Sequence, residues 1–300
     1  MKPTINQAKR KRAFTIIELL TVMSIIVILI GLLVPALNKA RRYATLVRQK
    51  AQLHSMDTAI ELFSNEYGGY PASGALDSDN AAYCGAMKLC EALMGQDLLG
   101  FHSNSLFRAN GLGSDGTVLY PADIDKLSDA VRAQNLTARK GPYLQAENAN
   151  AWRMVDIYGT NIGSFLGTSR VLCDVYERPM QAGQKTGMPI LYYKADTANT
   201  FHDPNRAGSM SASDSAGNIY NYLDNNMLVG LGKPWLETQS ATTAHKLTAA
   251  ARFYSNTRSD KITTASRPFR PDEYILISAG YDNEYGTADD VCNYEWKYRD

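Results

Sequence analysis

The sequence is poor in the residues that most enzyme and metal sites use. It has four cysteines and four histidines among 300 residues. The cysteines show neither C-x-x-C nor a zinc-type spacing, and the dispersed histidines form no H-E-x-x-H motif. No G-x-S-x-G is present, and the one G-x-G-x-x-G, at residues 111–116, follows no convincing strand and opens no helix. That stretch predicts a flexible loop, and the chain as a whole is expected not to be an enzyme.

An excess of charge of one sign is also missing outside the N-terminus. Residues 1–13 hold five basic residues and no acid, and removing these five positive charges changes the net charge from +1 to −4. A nucleic-acid-binding protein would need a basic face in its folded part. The mildly acidic remainder therefore predicts no nucleic-acid partner.

The few cysteines leave the redox question open. In an exported domain up to two disulfides can form, and four cysteines allow three pairings. Buried free thiols are the alternative, and the sequence does not choose between these states for Cys84, Cys90, Cys173 and Cys292.

Long apolar runs are absent except for one near the N-terminus. Residues 14–34 read FTIIELLTVMSIIVILIGLLV, about 31 Å as a helix, which matches the hydrocarbon core of a bilayer. The preceding K-R-K-R keeps that flank cytoplasmic, so the rest of the chain is translocated. A secretory signal peptide, a plain signal anchor and a buried core helix are the alternatives. The core helix is the weakest of them, because the run is apolar on every side.

Glu18 is the unusual residue of this run. A carboxylate at that depth costs about 2.5–3.5 kcal/mol on insertion, and such residues usually have a function. Cleavage after Ala13 would create a cation at the same depth, the new α-amino group of Phe14. When helices pack side by side, Glu18 of one chain would neutralise that amine of its neighbour, which makes the acid an assembly device.

With these features, residues 9–20, KRKRAFTIIELL, resemble the class III leader and mature start of type IV pilins and type II secretion pseudopilins. The resemblance implies that a prepilin peptidase cuts between Ala13 and Phe14 and methylates the Phe14 amine. It also implies assembly through Glu18, with copies of the chain or other pseudopilins, an inner-membrane assembly platform and membrane lipid as partners. The family usually has Gly before the cut, so Ala13 predicts slower processing.

Beyond the apolar run the helix is expected to continue as a spine. Pro35 follows Gly31 by about one turn and removes one hydrogen bond, at a cost of about 3 kcal/mol, which predicts a kink there. Apolar side chains then recur at helical spacing up to a predicted helix end near residue 66. One stripe comprises Leu53, Met56, Ile60 and Phe63, and a second comprises Leu37, Ala40, Ala44, Val47 and Ala51.

The remainder predicts a mixed domain. Residues 81–99 and 124–133 are predicted helices, and residues 170–176, 190–194, 274–279 and 291–298 are predicted strands. The fold class is therefore α+β, pilin-like, with a long N-terminal helix packed on a C-terminal antiparallel sheet. Four segments follow: a leader at 1–13, a transmembrane half-helix at 14–34, an amphipathic half-helix at 35–66 and an exported domain at 67–300.

One acidic loop is the candidate metal site. Calcium takes six to eight oxygen ligands in flexible geometry, and five oxygen-bearing side chains lie close in sequence: Asp282, Asn283, Glu284, Asp289 and Asp290. Residues 174–193 and 274–291 also resemble, more weakly, the corresponding stretches of major pseudopilins, which bind calcium in a loop here. The alternative is a solvated hairpin loop, because Asp and Asn favour turns.

Together these features predict a structural pseudopilin of a type II secretion system, held in the inner membrane by one span with its domain in the periplasm or outside the cell. A type IV pilus subunit or minor pilin is the alternative within the class. A periplasmic binding or hydrolytic domain on a pilin-type anchor is the alternative from another class, because residues 195–270 resemble no part of the family.

Overall fold

The structure is a computed structural model that describes residues 15–180, 182–206, 208, 210, 216–235 and 244–295. The chain divides into two compact units, Met1–Ala44 and Thr45–Asp300. Helix α1, Ile16–Tyr67, begins in the first unit and ends in the second. In the first unit every described residue is exposed. A helix that is apolar on all sides has no distinct apolar face to pack against a domain of its own chain.

In its described residues, the second unit has six further helices and nine short strands. The helices are α2 (Gly85–Met94), α3 (Asp129–Thr137), α4 (Ala146–Ala149), α5 (Met154–Tyr158), α6 (Asn226–Val229) and α7 (Ala250–Thr257). The strands are β1 (Phe101–His102), β2 (Arg139–Lys140), β3 (Ala151–Arg153), β4 (Arg170–Leu172), β5 (Arg178–Pro179), β6 (Lys185–Thr186), β7 (Leu191–Lys194), β8 (Tyr274–Ser278) and β9 (Val291–Cys292). Short 3₁₀ turns cover Ile124–Lys126, Tyr222–Asn225 and Lys246–Thr248.

All strand pairing between these elements is antiparallel. Strands β7, β8 and β9 form a three-stranded sheet in that order, and β1–β2, β3–β4 and β5–β6 form three two-stranded sheets. Within the sheet Leu191 lies opposite Ile277, and Ile277 lies opposite Cys292. With its helices the unit is an α+β domain.

Both faces of the three-stranded sheet are buried. Because side chains alternate along a strand, Tyr192 and Leu276 lie on one face and Tyr193 and Ile277 on the other. The first face joins a core with the outer part of helix α1, α2 and Val291. The second joins a core built largely from the later chain, with these residues among others: Ile219, Tyr220, Leu228, Phe253 and Tyr254. All five residues of β8 are buried for this reason, which matches the apolar run at residues 274–277.

The outer part of helix α1 is an integral part of the second unit. The predicted stripe is confirmed: Leu53, Met56, Ile60 and Phe63 are 0–4% exposed. Polar contacts fix the same face, because Gln52 Nε2 donates to the carbonyls of Asn148 and Cys173 at 3.1 and 2.9 Å. The second predicted stripe is different, because Val47 and Ala51 are exposed in this unit.

The predicted strand at residues 170–176 ends early, at Leu172. Asp174 is fully buried, and its Oδ1 accepts hydrogen bonds from the backbone N–H groups of Tyr176 and Met188 at 3.2 and 3.1 Å. The bond to Tyr176 forms an Asx turn, and beyond Leu172 only an isolated antiparallel bridge, between Cys173 and Pro189, continues the pairing. Burial raises the pKa of Asp174 to about 7.

The predicted helix at 124–133 is displaced. A 3₁₀ turn begins at Ile124, where the Asp123 side chain accepts a hydrogen bond from the Asp125 backbone. Leu127 and Ser128 then adopt extended backbone, and a new helix, α3, starts at Asp129. The sequence pattern predicted these two elements as a single helix.

Candidate functional site

The N-terminus of helix α1 is closed by two side chains that cap each other. Thr15 Oγ1 accepts a hydrogen bond from the Glu18 backbone N–H at 3.2 Å. In return, Glu18 Oε2 accepts from the Thr15 backbone N–H at 2.9 Å and from the Thr15 hydroxyl at 2.7 Å. This is a capping box, in which Ser or Thr precedes the helix and Glu follows three residues later. It satisfies N–H groups that a helix start leaves without intrahelical partners.

The capping box gives Glu18 a role within its own chain that the sequence analysis missed. The signal was present in the sequence, because T-I-I-E directly before an apolar run is the capping-box pattern. The capping box uses one of the two carboxylate oxygens of Glu18. Oε2 makes both hydrogen bonds, whereas Oε1 bonds to no residue that the structure describes, and the side chain is exposed. Among the described residues, the cap thus uses Oε2 of Glu18 and leaves Oε1 out.

Of the four other residues predicted in this segment, the structure describes two. Ala13 and Phe14, the predicted cleavage pair, lie outside the described residues. Gly31 and Pro35 both lie inside helix α1, which includes them without interruption. The predicted kink at these two residues stays a prediction.

Helix α1 has the length and composition of a membrane span. Within the described part of the chain, α1 is the one helix that is long enough and apolar enough to cross a bilayer. None of its most apolar stretch is buried by protein. Its hydroxyls bond back to the helix itself: Thr21 Oγ1 donates to the Glu18 carbonyl and Ser24 Oγ to the Leu20 carbonyl. Polar groups paired in this way are compatible with an apolar environment.

The acidic loop connects strands β8 and β9 and is mostly buried. Asn283 is 2% exposed, Asp290 5% and Tyr285 0%, whereas Asp289 is exposed. Asp290 accepts hydrogen bonds from the backbone N–H groups of Gly286 and Thr287 at 2.8 and 3.3 Å. Burial raises the pKa of Asp290 well above its usual value.

The five predicted calcium ligands come together only in part. Asp282 and Asp289 are neighbours: Asp289 Oδ2 accepts from the Asp282 backbone N–H at 2.9 Å. Burial raises the pKa of Asp282, and the charge of Asp289 raises it further. Glu284 is instead paired with Lys233 at 2.6 Å, and Asn283 Nδ2 donates to the Tyr176 carbonyl at 2.8 Å.

The pair of Asp282 and Asp289 suits a divalent cation, because a cation would relieve the repulsion between two carboxylates. Among the residues described, however, no three His, Cys, Asp or Glu side chains form a group that could hold a metal. Backbone carbonyls and water would have to complete the set of oxygen ligands that calcium needs. The calcium site therefore stays a prediction.

The four cysteines are free thiols in the structure. Cys84, Cys90 and Cys173 are buried, and Cys292 is partly buried. Burial raises the pKa of the Cys84 thiol to about 11 and that of Cys90 to about 12. Thiols with such pKa values carry almost no thiolate at neutral pH and are poor nucleophiles.

Comparison with known proteins is informative at the N-terminus. Residues 8–34 match the model of the prokaryotic N-terminal methylation motif. Searches of curated proteins and of solved structures return no significant match. A prepilin-type signal joined to an apolar helix indicates membrane anchoring. The chain thus carries the class III signal peptide of type IV pilin-like proteins.

Proposed function

We propose that this protein is a pseudopilin of a type II secretion system that assembles into a helical filament through its N-terminal helix. The observation that carries the proposal is the methylation motif at residues 8–34 together with Glu18, one oxygen of which the cap does not use. Assembly would place that oxygen beside the Phe14 amine of an adjacent subunit. The subunit would stay in the inner membrane, with its domain in the periplasm or at the cell exterior.

The partners of this proposal are a prepilin peptidase, an inner-membrane assembly platform, membrane lipid and other copies or pseudopilins. A type IV pilus subunit or minor pilin shares the same assembly chemistry and is the alternative within the class. Neighbouring genes discriminate the two: an outer-membrane secretin and one secretion ATPase favour secretion, and a retraction motor favours a pilus. A binding or hydrolytic domain on the same anchor predicts filaments that are unaffected when this chain is deleted.

The capping box makes it possible to separate the two roles of Glu18. Glu18→Gln removes the charge but keeps an N3 side chain that can complete the box, since Gln also serves there. Thr15→Ala removes the capping hydroxyl but keeps the charge. Pairing with a neighbour's amine predicts that Glu18→Gln abolishes incorporation into filaments, whereas Thr15→Ala lowers it mildly, because losing an N-cap costs about 1 kcal/mol.

Incorporation is measured by cross-linking and shearing of filaments from cells, and membrane insertion by fractionation of the same cells. Leu20→Ala, in the same helix, is a control that changes neither the charge nor the cap. Near-normal incorporation of Glu18→Gln together with reduced incorporation of Thr15→Ala would show that Glu18 acts only as a cap and would refute the pairing. Mass spectrometry of the native protein should in addition give an N-terminus at Phe14 with a methylated amine; a cut after residue 34 or 36 would mark an ordinary signal peptide.

We also propose that the acidic loop takes up calcium, with Asp282 and Asp289 as its carboxylate ligands. Their proximity supports this, because two adjacent carboxylates repel each other until a cation is bound. Millimolar calcium should raise the Tm of the full-length protein, and Asp289→Ala should remove the shift. Asp115→Ala is a matched control: Asp115 also accepts a hydrogen bond from a threonine hydroxyl two residues away, in another loop. An absent shift in the unmodified protein would dispose of the site.

A further inference from the structure

A basic stretch follows the apolar run of helix α1. Lys39, Arg41 and Arg42 lie within four consecutive residues, and all three are exposed. The last apolar side chain before them is that of Leu37, which is 46% exposed, and Tyr43, which is 69% exposed, follows them directly. We call residues 39–43 the basic flank. It lies wholly within the first unit.

The sequence around the basic flank contains no acid. Residues 19–56 include neither Asp nor Glu, so the acids nearest in sequence are Glu18 and Asp57. Glu18 precedes Lys39 by 21 residues, which is about 31 Å along an α-helix. The flank therefore carries three positive charges with no acid near them in the sequence.

The charges of the basic flank do not help the chain to insert in the proposed orientation. Lys and Arg within about 15–20 residues of a span favour the cytoplasmic side of the membrane. The leader, residues 1–13, supplies five such cations before the span, whereas the basic flank follows the span and would be translocated. Cations that oppose the orientation indicate that a negatively charged partner meets them on the translocated side.

The position of the basic flank along the helix matches the depth of lipid headgroups. At a rise of about 1.5 Å per residue, Lys39 lies about 3 Å and Arg42 about 7.5 Å beyond Leu37. The interfacial layer on each side of a bilayer's hydrocarbon core is about 5–8 Å thick. Helix side chains also tilt towards the helix N-terminus, which here is the direction of the apolar run. Tyr43 suits the same layer, because Tyr is enriched at membrane interfaces.

The distribution of the three cations around the helix favours lipid over a protein partner. At 3.6 residues per turn, Arg41 and Arg42 are rotated by about 200° and 300° from Lys39. A protein that docks on one side of a helix contacts only part of such a ring. Lipids surround a membrane helix on all sides, so their headgroups can meet all three side chains.

We propose that the basic flank binds the headgroups of anionic phospholipids in the leaflet on the translocated side. The guanidinium groups of Arg41 and Arg42 donate to the phosphate oxygens, and Lys39 adds a compact positive charge. Each cation close to an anionic membrane surface strengthens the attraction about fivefold. This inference specifies the lipid partner of the proposed function: it rests on the membrane anchoring of helix α1 and not on filament assembly.

The test is photo-cross-linking at Tyr43. Full-length protein with benzoylphenylalanine in place of Tyr43 is reconstituted in vesicles of four parts phosphatidylcholine to one part phosphatidylglycerol. Mass spectrometry of the adducts then gives the lipid composition at the basic flank alone, because the leader lies at the other end of the apolar run. Phosphatidylglycerol should reach at least twice its share of the vesicle lipid, and molar salt should reduce this excess by screening the charges.

Two results of this experiment would overturn the proposal. One is adducts in the same proportion as the vesicle lipid, and the other is the absence of lipid adducts from protein that stays in the vesicles. Carbonate extraction of the same vesicles reports insertion separately. Protein that carbonate extracts would refute the membrane anchoring on which this inference rests.

Variants connect the lipid preference to the three cations. A triple variant, with Gln at all three positions of the flank, should give adducts in the proportion of the vesicle lipid: Lys39→Gln, Arg41→Gln and Arg42→Gln. The matched control removes three exposed cations of the second unit and should keep the excess of phosphatidylglycerol: Lys246→Gln, Arg258→Gln and Lys261→Gln. An excess that survives in the first triple variant, or that disappears equally in the control, would refute the assignment.

The same photoprobe in cells distinguishes lipid from a protein partner. Adducts with anionic phospholipid would support the proposal in the native membrane. Adducts with a protein in place of lipid would assign the basic flank to a protein contact and would overturn the proposal.

Discussion

The attachment of helix α1 to the second unit can be tested with a single buried side chain, that of Ile60. Ile60 is 0% exposed and lies in the same core as Leu276 of the sheet. Replacing it by Ala removes three carbon atoms from a packed site. Such changes cost about 2–5 kcal/mol from lost burial and the cavity that remains. For a domain of this size 1 kcal/mol shifts Tm by about 2–4 °C, so Tm should fall by about 4–20 °C.

Leu62, two residues further along the same helix, provides the control because it is 50% exposed. Leu62→Ala should change stability by less than about 0.5 kcal/mol. Both variants are melted as full-length protein in detergent and followed by near-ultraviolet circular dichroism, which reports packed aromatic side chains. Equal Tm values for Ile60→Ala and Leu62→Ala would refute the packing described for helix α1.

Two further predictions concern a buried acid and a loop glycine. Burial raises the pKa of Asp224 to about 7 from 3.8, so its contribution to stability is complete below about pH 4 and is lost as the pH rises through 7. In denaturant titrations, the unfolding free energy of Asp224→Asn should therefore fall less between pH 4 and 7 than that of the unmodified protein, by up to about 1.4 kcal/mol per pH unit. An equal pH dependence in the two proteins would contradict the prediction. Gly280 has φ +68°, and an added Cβ would lie 2.1 Å from the Asp289 carbonyl oxygen. Gly280→Ala should lower Tm more than Gly183→Ala, because Gly183 has φ +81° but an added Cβ there would have no atom within 4 Å. Equal Tm values for the two variants would show that the contact with Asp289 does not cause the destabilisation.

Features that depend on local periodicity were predictable from the sequence. Met56 and Ile60 follow the helical period, and their burial was expected from it. Strand β8 was equally visible, as a short run of apolar residues ending before a turn. The end of helix α1 at Tyr67 also lies within one residue of the prediction. In each case one segment contains the whole signal.

Features that depend on distant segments were not predictable. The buried Asp174 side chain accepts a hydrogen bond from the backbone N–H of Met188, 14 residues further along the chain, and no local pattern predicts that. The acidic loop was predicted to supply one set of calcium ligands, but Glu284 forms an ion pair with Lys233. Asp97 and Arg170 lie far apart in the sequence and line the same cleft. Spacing does not constrain such pairs.

The covering of the sheet on both sides has a consequence for residues 195–270, which had no assigned part. Tyr220 and Phe253 from this stretch are 0% and 1% exposed against strands β7 and β8. Trimming the stretch to the size of a smaller domain would uncover aromatic and branched side chains in water, and a bare face of that kind invites aggregation. The described part of this stretch is therefore what keeps that face of the sheet away from water.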